Sequence, residues 1–199
     1  MAPRSTRRGA AVGTATTVAL GVLSLLGAGT AGAAPAKVTW DDYYSHFTRT
    51  VSNSTPNAGE IITVTTKFER TNSTEEHLYN IKDLHPSCLT YVPGSARMND
   101  TPLDPEVTSG YVGVDFPPNT WIVKNQPASA PVFSVAYKVG ADCSRGNNLT
   151  TGMRYNGSLG SGDYSTKGPS VSISYLNPGG GDGSSGSVGS LLGGFGSSQ

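Results

Sequence analysis

The side chains of this 199-residue chain that could carry chemistry are few and scattered. His46, His77 and His85 fall in three different segments. None belongs to a His-Glu-x-x-His run or to an i, i+4 pair that would let two imidazoles share a metal. Gly-x-Ser-x-Gly is absent, so no nucleophilic serine sits in the sharp strand-to-helix turn that would present it. Asp41-Asp42 and the group Asp100, Asp104 and Glu106 lack the repeated acidic spacing of a calcium loop and read as solvated carboxylates. The sequence thus assigns no catalytic residue, no metal ligand and no cofactor. An aromatic cluster, Trp40, Tyr43 and Tyr44, is the candidate ligand-binding group, because such rings can stack on a sugar or another flat ligand. The plainer reading makes them rings that cover one end of a core.

Positioning these residues begins with export. Arg4, Arg7 and Arg8 give a positive start, Ala10 to Gly27 is an uncharged apolar run, and Ala31-Gly32-Ala33 offers small residues for cleavage. A membrane span is the competing reading, but about 18 residues is the lower limit of length and no stop-transfer charge follows. Residues 1–33 are therefore expected to be a cleaved signal peptide, leaving no membrane span in the mature chain. The leader holds three of the 14 Lys and Arg and none of the 14 Asp and Glu, so the rest carries 11 basic against 14 acidic side chains, a net of −3. That charge gives no basic footprint for nucleic acid and no polybasic membrane patch. Cys88 and Cys143, an even count in an exported chain, are expected to form a disulfide.

The body, residues 34–176, alternates with period 2 almost throughout. Lys37 to Val51 reads as a first strand, with Phe47, Arg49 and Val51 on one face. Ile62, Val64, Thr66 and Phe68 share the face of a second, and Tyr79, Ile81 and Asp83 that of a third, which Pro86 ends. Leu89 to Val92 is short and extended, Asn99 to Pro105 a polar connection, and Val112, Val114 and Phe116 another strand. Trp121 to Val123 is an edge. Phe133, Val135, Tyr137 and Val139 alternate clearly, as do Leu149, Thr151, Met153 and Tyr155. Gly157 to Gly168 reads as a Gly/Ser loop, after which Val171, Ile173 and Tyr175 close the sheet. No segment beyond the leader has helical periodicity, so the fold class is an all-β sandwich in one domain. Asn177 to Gln199 holds nine Gly and six Ser in 23 residues and is expected to be a flexible tail.

Pro56-Asn57-Ala58-Gly59-Glu60, the Ile62/Val64 strand, Tyr79/Ile81/Asp83, Pro86 and Leu89-Thr90-Tyr91-Val92-Pro93-Gly94-Ser95 together carry a resemblance. The run resembles the conserved surface-repeat domain of bacterial exported proteins, an immunoglobulin-like β-sandwich of largely unknown function. His85 stands where that family tends to have Leu, Thr71-Asn72-Ser73 is a looser version of its turn, and Cys88 is not a general feature of it. The resemblance spans about 40 residues, with a fainter match over Pro131 to Gly140, and it implies a fold and not a ligand. Some immunoglobulin-like surface domains join a Lys to an Asn through an isopeptide bond. Lys67 and Asn156 would be the pair, although Lys67 falls on the solvent side of its strand.

These readings converge on a secreted or cell-surface, non-enzymatic structural or adhesive module of a bacterium, its Ala- and Gly-heavy composition suiting an actinobacterium. Its expected partner is a cell-envelope component or a host surface protein. The alternative is an extracellular binder of a small molecule, glycan or lipid, using the aromatic cluster or a cavity between the sheets. Five Asn-x-Ser/Thr sequons, at Asn53, Asn72, Asn99, Asn148 and Asn156, would matter only in a glycosylating host.

Overall fold

A computed structural model of the chain describes residues 34–146 and 148–174. The expected leader and tail lie outside the described residues.

Alternating strands account for the architecture. β1 (Ala36–Asp42), β2 (Ser45–Val51), β3 (Ile61–Arg70) and β4 (Glu76–Leu84) come first. A run of short pieces follows: β5 (Leu89–Tyr91), β6 (Arg97–Met98), β7 (Thr101–Pro102), β8 (Glu106–Val107), β9 (Tyr111–Asp115) and β10 (Trp121–Val123). After a 3₁₀ turn at Pro127–Ser129 come β11 (Val132–Val139), β12 (Asn148–Thr150), β13 (Gly152–Gly157), β14 (Gly160–Tyr164) and β15 (Ser170–Ser172). The first sheet runs β1-β2-β3-β11-β6-β7, with β5 also on β11. The second runs β14-β13-β4-β9-β8, with β10 also on β4, and β12 and β15 form a separate ribbon. Every pairing is antiparallel. β2, β3, β11 and the β5/β6 segment thus take the A-B-E-D order, and β14, β13 and β4 the G-F-C order, of an immunoglobulin-like sandwich. β9 adds a strand beside β4.

The core follows from the period of 2. Phe47, Val51, Ile62, Val64, Phe68, Phe133, Val135 and Val139 point inward from the first sheet. They meet Leu78, Ile81, Val112, Met153 and Tyr155 of the second. Each such side chain contributes about 1.5–3 kcal/mol by leaving water. A charged pair, Arg49 and Asp83, shares this interior. Arg49 of β2 is fully buried and its Nη1 donates to Asp83 Oδ2 of β4 and to Thr66 Oγ1 of β3, both at 2.7 Å. The Tyr137 hydroxyl of β11 donates to Asp83 Oδ1 at 2.8 Å, so the carboxylate ties together three strands from two sheets. Cys88 and Cys143 close a disulfide between the turn before β5 and the turn after β11, with Cα atoms 5.1 Å apart. Across a separation of 55 residues, chain-entropy arguments give it about 4 kcal/mol.

Four local expectations change. Lys37 to Val51 is a hairpin and not one strand, because Tyr43 takes φ +49° and turns the chain between Asp42 and Ser45. Tyr79 does not share the face of Ile81 and Asp83: it is bulged out and 42 % exposed, while Leu78 fills the inward place. Leu149 and Met153 belong to different sheets, β12 and β13. Finally, the Gly157–Gly168 stretch holds β14, paired with β13 from Met153↔Tyr164 to Gly157↔Gly160.

Candidate functional site at the Tyr43–Tyr44 turn

The β1–β2 hairpin sorts the aromatic cluster into two roles. Trp40, in β1, points inward and stacks on Phe47 with centroids 5.2 Å apart, and it also packs against Tyr164 at 5.3 Å. It belongs to the core and is not part of an exposed platform. Tyr43 and Tyr44 sit at the turn itself, 96 % and 56 % exposed. They line a cleft of about 310 Å³ together with Asp42, Arg70, Glu76 and Leu159. The structure therefore brings together two of the three expected ligand-binding residues.

The floor of the cleft is a buried ion pair. Arg70 closes β3 and Glu76 opens β4, and the five-residue turn between them folds back so that the two face each other. Arg70 Nη1 lies 3.4 Å from Glu76 Oε2 and donates to Ser45 Oγ at 2.7 Å. Its Nε donates to the Thr74 carbonyl and its Nη2 to Asn72 Oδ1, both at 3.2 Å. Glu76 also accepts from Ser45 Oγ at 3.2 Å and from the Tyr155 hydroxyl at 3.2 Å. Burial, followed by the Glu76 charge, raises the Tyr155 hydroxyl to about 12. Burial and the 2.6 Å hydrogen bond to Asp42 push the Tyr164 hydroxyl up as well. Both phenols are thus locked as donors to carboxylates. Glu76 accepts from three donors and so serves as an anchor for the floor.

Sequence reasoning passed over Arg70, Glu76 and Leu159. A signal for the first was present: Ile62, Val64, Thr66 and Phe68 define an inward face, and Arg70 is its next member. An inward arginine requires buried acceptors, and here the turn after β3 and Glu76 of β4 supply them.

Other sequence candidates are dispersed. His46 Nδ1 lies 2.6 Å from Asp41 Oδ1 on the exposed side of the hairpin. His77 is in β4 and His85 follows it. Lys67 Nζ pairs with Glu69 at 2.8 Å in the first sheet, while Asn156 donates to Asn80 Oδ1 at 3.3 Å in the second, so the two side chains of the isopeptide idea are engaged in different sheets. Among the described residues no group of three His, Cys, Asp or Glu side chains is placed to hold a metal ion. No helix among them is long and apolar enough to cross a membrane.

No family model and no curated protein matches the chain. Solved structures do. The crystal structure of a "putative membrane anchored protein" from Corynebacterium diphtheriae superposes with a TM-score of 0.52 at 12% identity, over 71% of this chain and 38% of that one. The likeness is one of fold. A DUF4466 family protein from Parabacteroides merdae aligns over 71% of this chain and 46% of its own length, at 15% identity and a TM-score of 0.38. The chain thus spans less than half the length of either protein.

Proposed function

We propose that this chain is an exported, non-enzymatic recognition module of a bacterial surface, akin to the surface-repeat sandwiches, and that it engages a cell-envelope component through the Tyr43–Tyr44 end. One observation carries the reading: two tyrosines are held out to solvent by a tight hairpin, directly beside an ion-paired floor whose polar groups are already hydrogen-bonded to one another. Exposed tyrosines supply amphipathic contact area at low entropic cost, and a rigid floor limits what must be ordered on binding. The leader pattern of residues 1–33 and the Cys88–Cys143 disulfide support an oxidising, extracytoplasmic location. Adhesion fits a fold whose loops cluster at the ends of two sheets and vary without disturbing the core.

The test is binding of the full chain to envelope fractions from the producing cells. A Tyr43→Ala/Tyr44→Ala double variant is expected to bind about tenfold more weakly or worse, since buried tyrosine anchors commonly contribute that much. Its thermal midpoint should not move, because neither ring packs in the core. Undiminished binding by the double variant would remove this end of the sandwich from consideration.

A further inference from the structure

A groove of about 590 Å³ lies at the far end of β4, where Leu89, Leu103, Pro105 and Val107 give it apolar walls and His85 also lines it. Its walls single out no occupant. The outer edge of β1 does.

A sheet edge carries a row of backbone N–H and C=O groups ready to pair with another strand, and native proteins blunt such edges. Most edges of this sandwich are blunt. β5, β7 and β8 have three residues or fewer, and β7 contains Pro102. β14 has five residues, two of them glycine. β1 differs: it ends the first sheet, pairs with β2 in regular register along all seven residues, and holds neither proline nor glycine. No strand among the described residues pairs with its other side.

The register fixes which backbone groups point outward. The Ser52 N–H donates to the Thr63 carbonyl and continues the β2–β3 ladder, so even-numbered residues of β2 bond to β3 and odd-numbered ones to β1. Those odd-numbered residues face Ala36, Val38, Trp40 and Asp42. The N–H and C=O groups of Lys37, Thr39 and Asp41 are thus turned away from β2. Their side chains share the exposed face, whereas Val38 and Trp40 pack against the core.

We propose that two copies of this chain pair edge to edge through β1, antiparallel about a two-fold axis at Thr39. This register keeps every residue of β1 paired and gives each outward N–H and C=O a partner. Lys37 then stands opposite Asp41 of the second copy, at both ends of the seam, and Thr39 stands opposite Thr39. Opposite charges and Thr–Thr pairs are stabilising cross-strand neighbours. Lys37 has no ion-pair partner among the described residues, and Asp41 meets His46 through Oδ1, which leaves Oδ2 for the lysine. On the inward side Val38 meets Trp40 of the second copy, an aromatic–β-branched pair at the close spacing of a non-hydrogen-bonded site. Moving the axis to Val38 or Trp40 would shorten the seam and separate both charge pairs. This self-complementary pattern is what selects a second copy over an unrelated strand.

The seam is independent of the tyrosine turn, and the full oxidised chain serves for its test. Sedimentation velocity from about 1 µM to 1 mM should show a monomer–dimer equilibrium, since one strand per copy makes a small interface. Amide hydrogen exchange should slow with concentration at Lys37, Thr39 and Asp41, and not at Val38 and Trp40, whose amides already bond to β2. Lys37→Asp and Asp41→Lys each oppose like charges at both symmetric pairs and should weaken the dimer about tenfold. The Lys37→Asp/Asp41→Lys double variant should return the dissociation constant to within about threefold of the unaltered chain. A monomer throughout that range, a dimer indifferent to both reversals, or single losses that the double variant does not recover would each overturn the proposal. Should a variant fail to fold, exchange on the unaltered chain decides alone, and slowing that does not alternate along β1 overturns the seam.

Discussion

Arg49 brings a full positive charge into the sandwich with no exposed surface of its own, and Asp83 is the only carboxylate hydrogen-bonded to it among the described residues. Desolvating two ions is expensive, and their attraction offsets this only when geometry and further hydrogen bonds are good. Here Thr66 and Tyr137 provide two such bonds, while Arg49 Nε and Nη2 are buried without a hydrogen-bond partner among the described residues. Asp83→Ala would leave an unpaired cation and an unsatisfied phenol in the core, and is expected to cost about 3–5 kcal/mol in urea denaturation. Arg49→Met combined with Asp83→Leu should cost less than either single change, because no buried charge remains. A double variant as unstable as the sum of the singles would show that packing, and not charge, sets the penalty. The pair was partly legible in the sequence: alternation places Arg49 with Phe47 and Val51, and Asp83 with Ile81, all on inward faces. Which carboxylate meets which arginine depends on how the sheets stack, which periodicity along one strand does not report.

Strands with an unbroken period of 2 were legible as elements; strands whose turns use unusual residues were not. β3 and β11 read directly because bulky side chains alternate along their whole length. The β1–β2 hairpin hid itself because a tyrosine, and not Gly or Asn, occupies the positive-φ position. β14 hid for the opposite reason. Its glycines, and Gly157 at the end of β13, look like loop residues, yet a Cβ at Gly162 would collide with the Tyr164 ring, and one at Gly157 with the Glu76 carboxylate. These glycines make room for packing and leave the strand in place. That packing puts one buried phenol on each of three strands: Tyr137 on β11, Tyr155 on β13 and Tyr164 on β14. All three hydroxyls are raised, by burial first, and Tyr155 reaches about 12. Raised acids stay protonated in the fold after they would ionise in the unfolded chain, so the contribution of Tyr155 is complete below about pH 10 and is lost as pH climbs through about 12, and those of Tyr137 and Tyr164 have the same sign. Alkaline titration should therefore show the last tyrosinate absorbance appearing together with loss of the near-ultraviolet circular dichroism. Ionisation of all nine tyrosines with that signal intact would contradict the buried assignments.

At the scale of the whole sandwich, β4 is the central strand of its sheet, flanked by β13 on one side and by β9 and β10 on the other. Its first residue, Glu76, supports the tyrosine cleft, and the residue after its last, His85, lines the apolar groove. One rigid element thus supports two unlike openings, one polar-floored and one apolar, at opposite ends. The sequence marked the first only through Tyr43 and Tyr44 and left the second unmarked, because each is assembled from side chains distant in sequence, such as Ser45 with Glu76 and His85 with Val107. The Cys88–Cys143 bond acquires a further meaning once the sandwich is held at both ends. Tension applied at Ala34 and Ser174 would peel β1 and β15 first, yet the stretch between the cysteines, a separation of 55 residues, stays inside a covalent loop. About 190 Å of contour is then withheld from extension, at roughly 3.5 Å per residue. Stretching single molecules should give an unfolding step longer by about that amount in Cys88→Ser/Cys143→Ser than in the oxidised chain. Equal steps would mean that the bond does not bear load. The disulfide therefore acts as a stop on elongation as well as a source of stability.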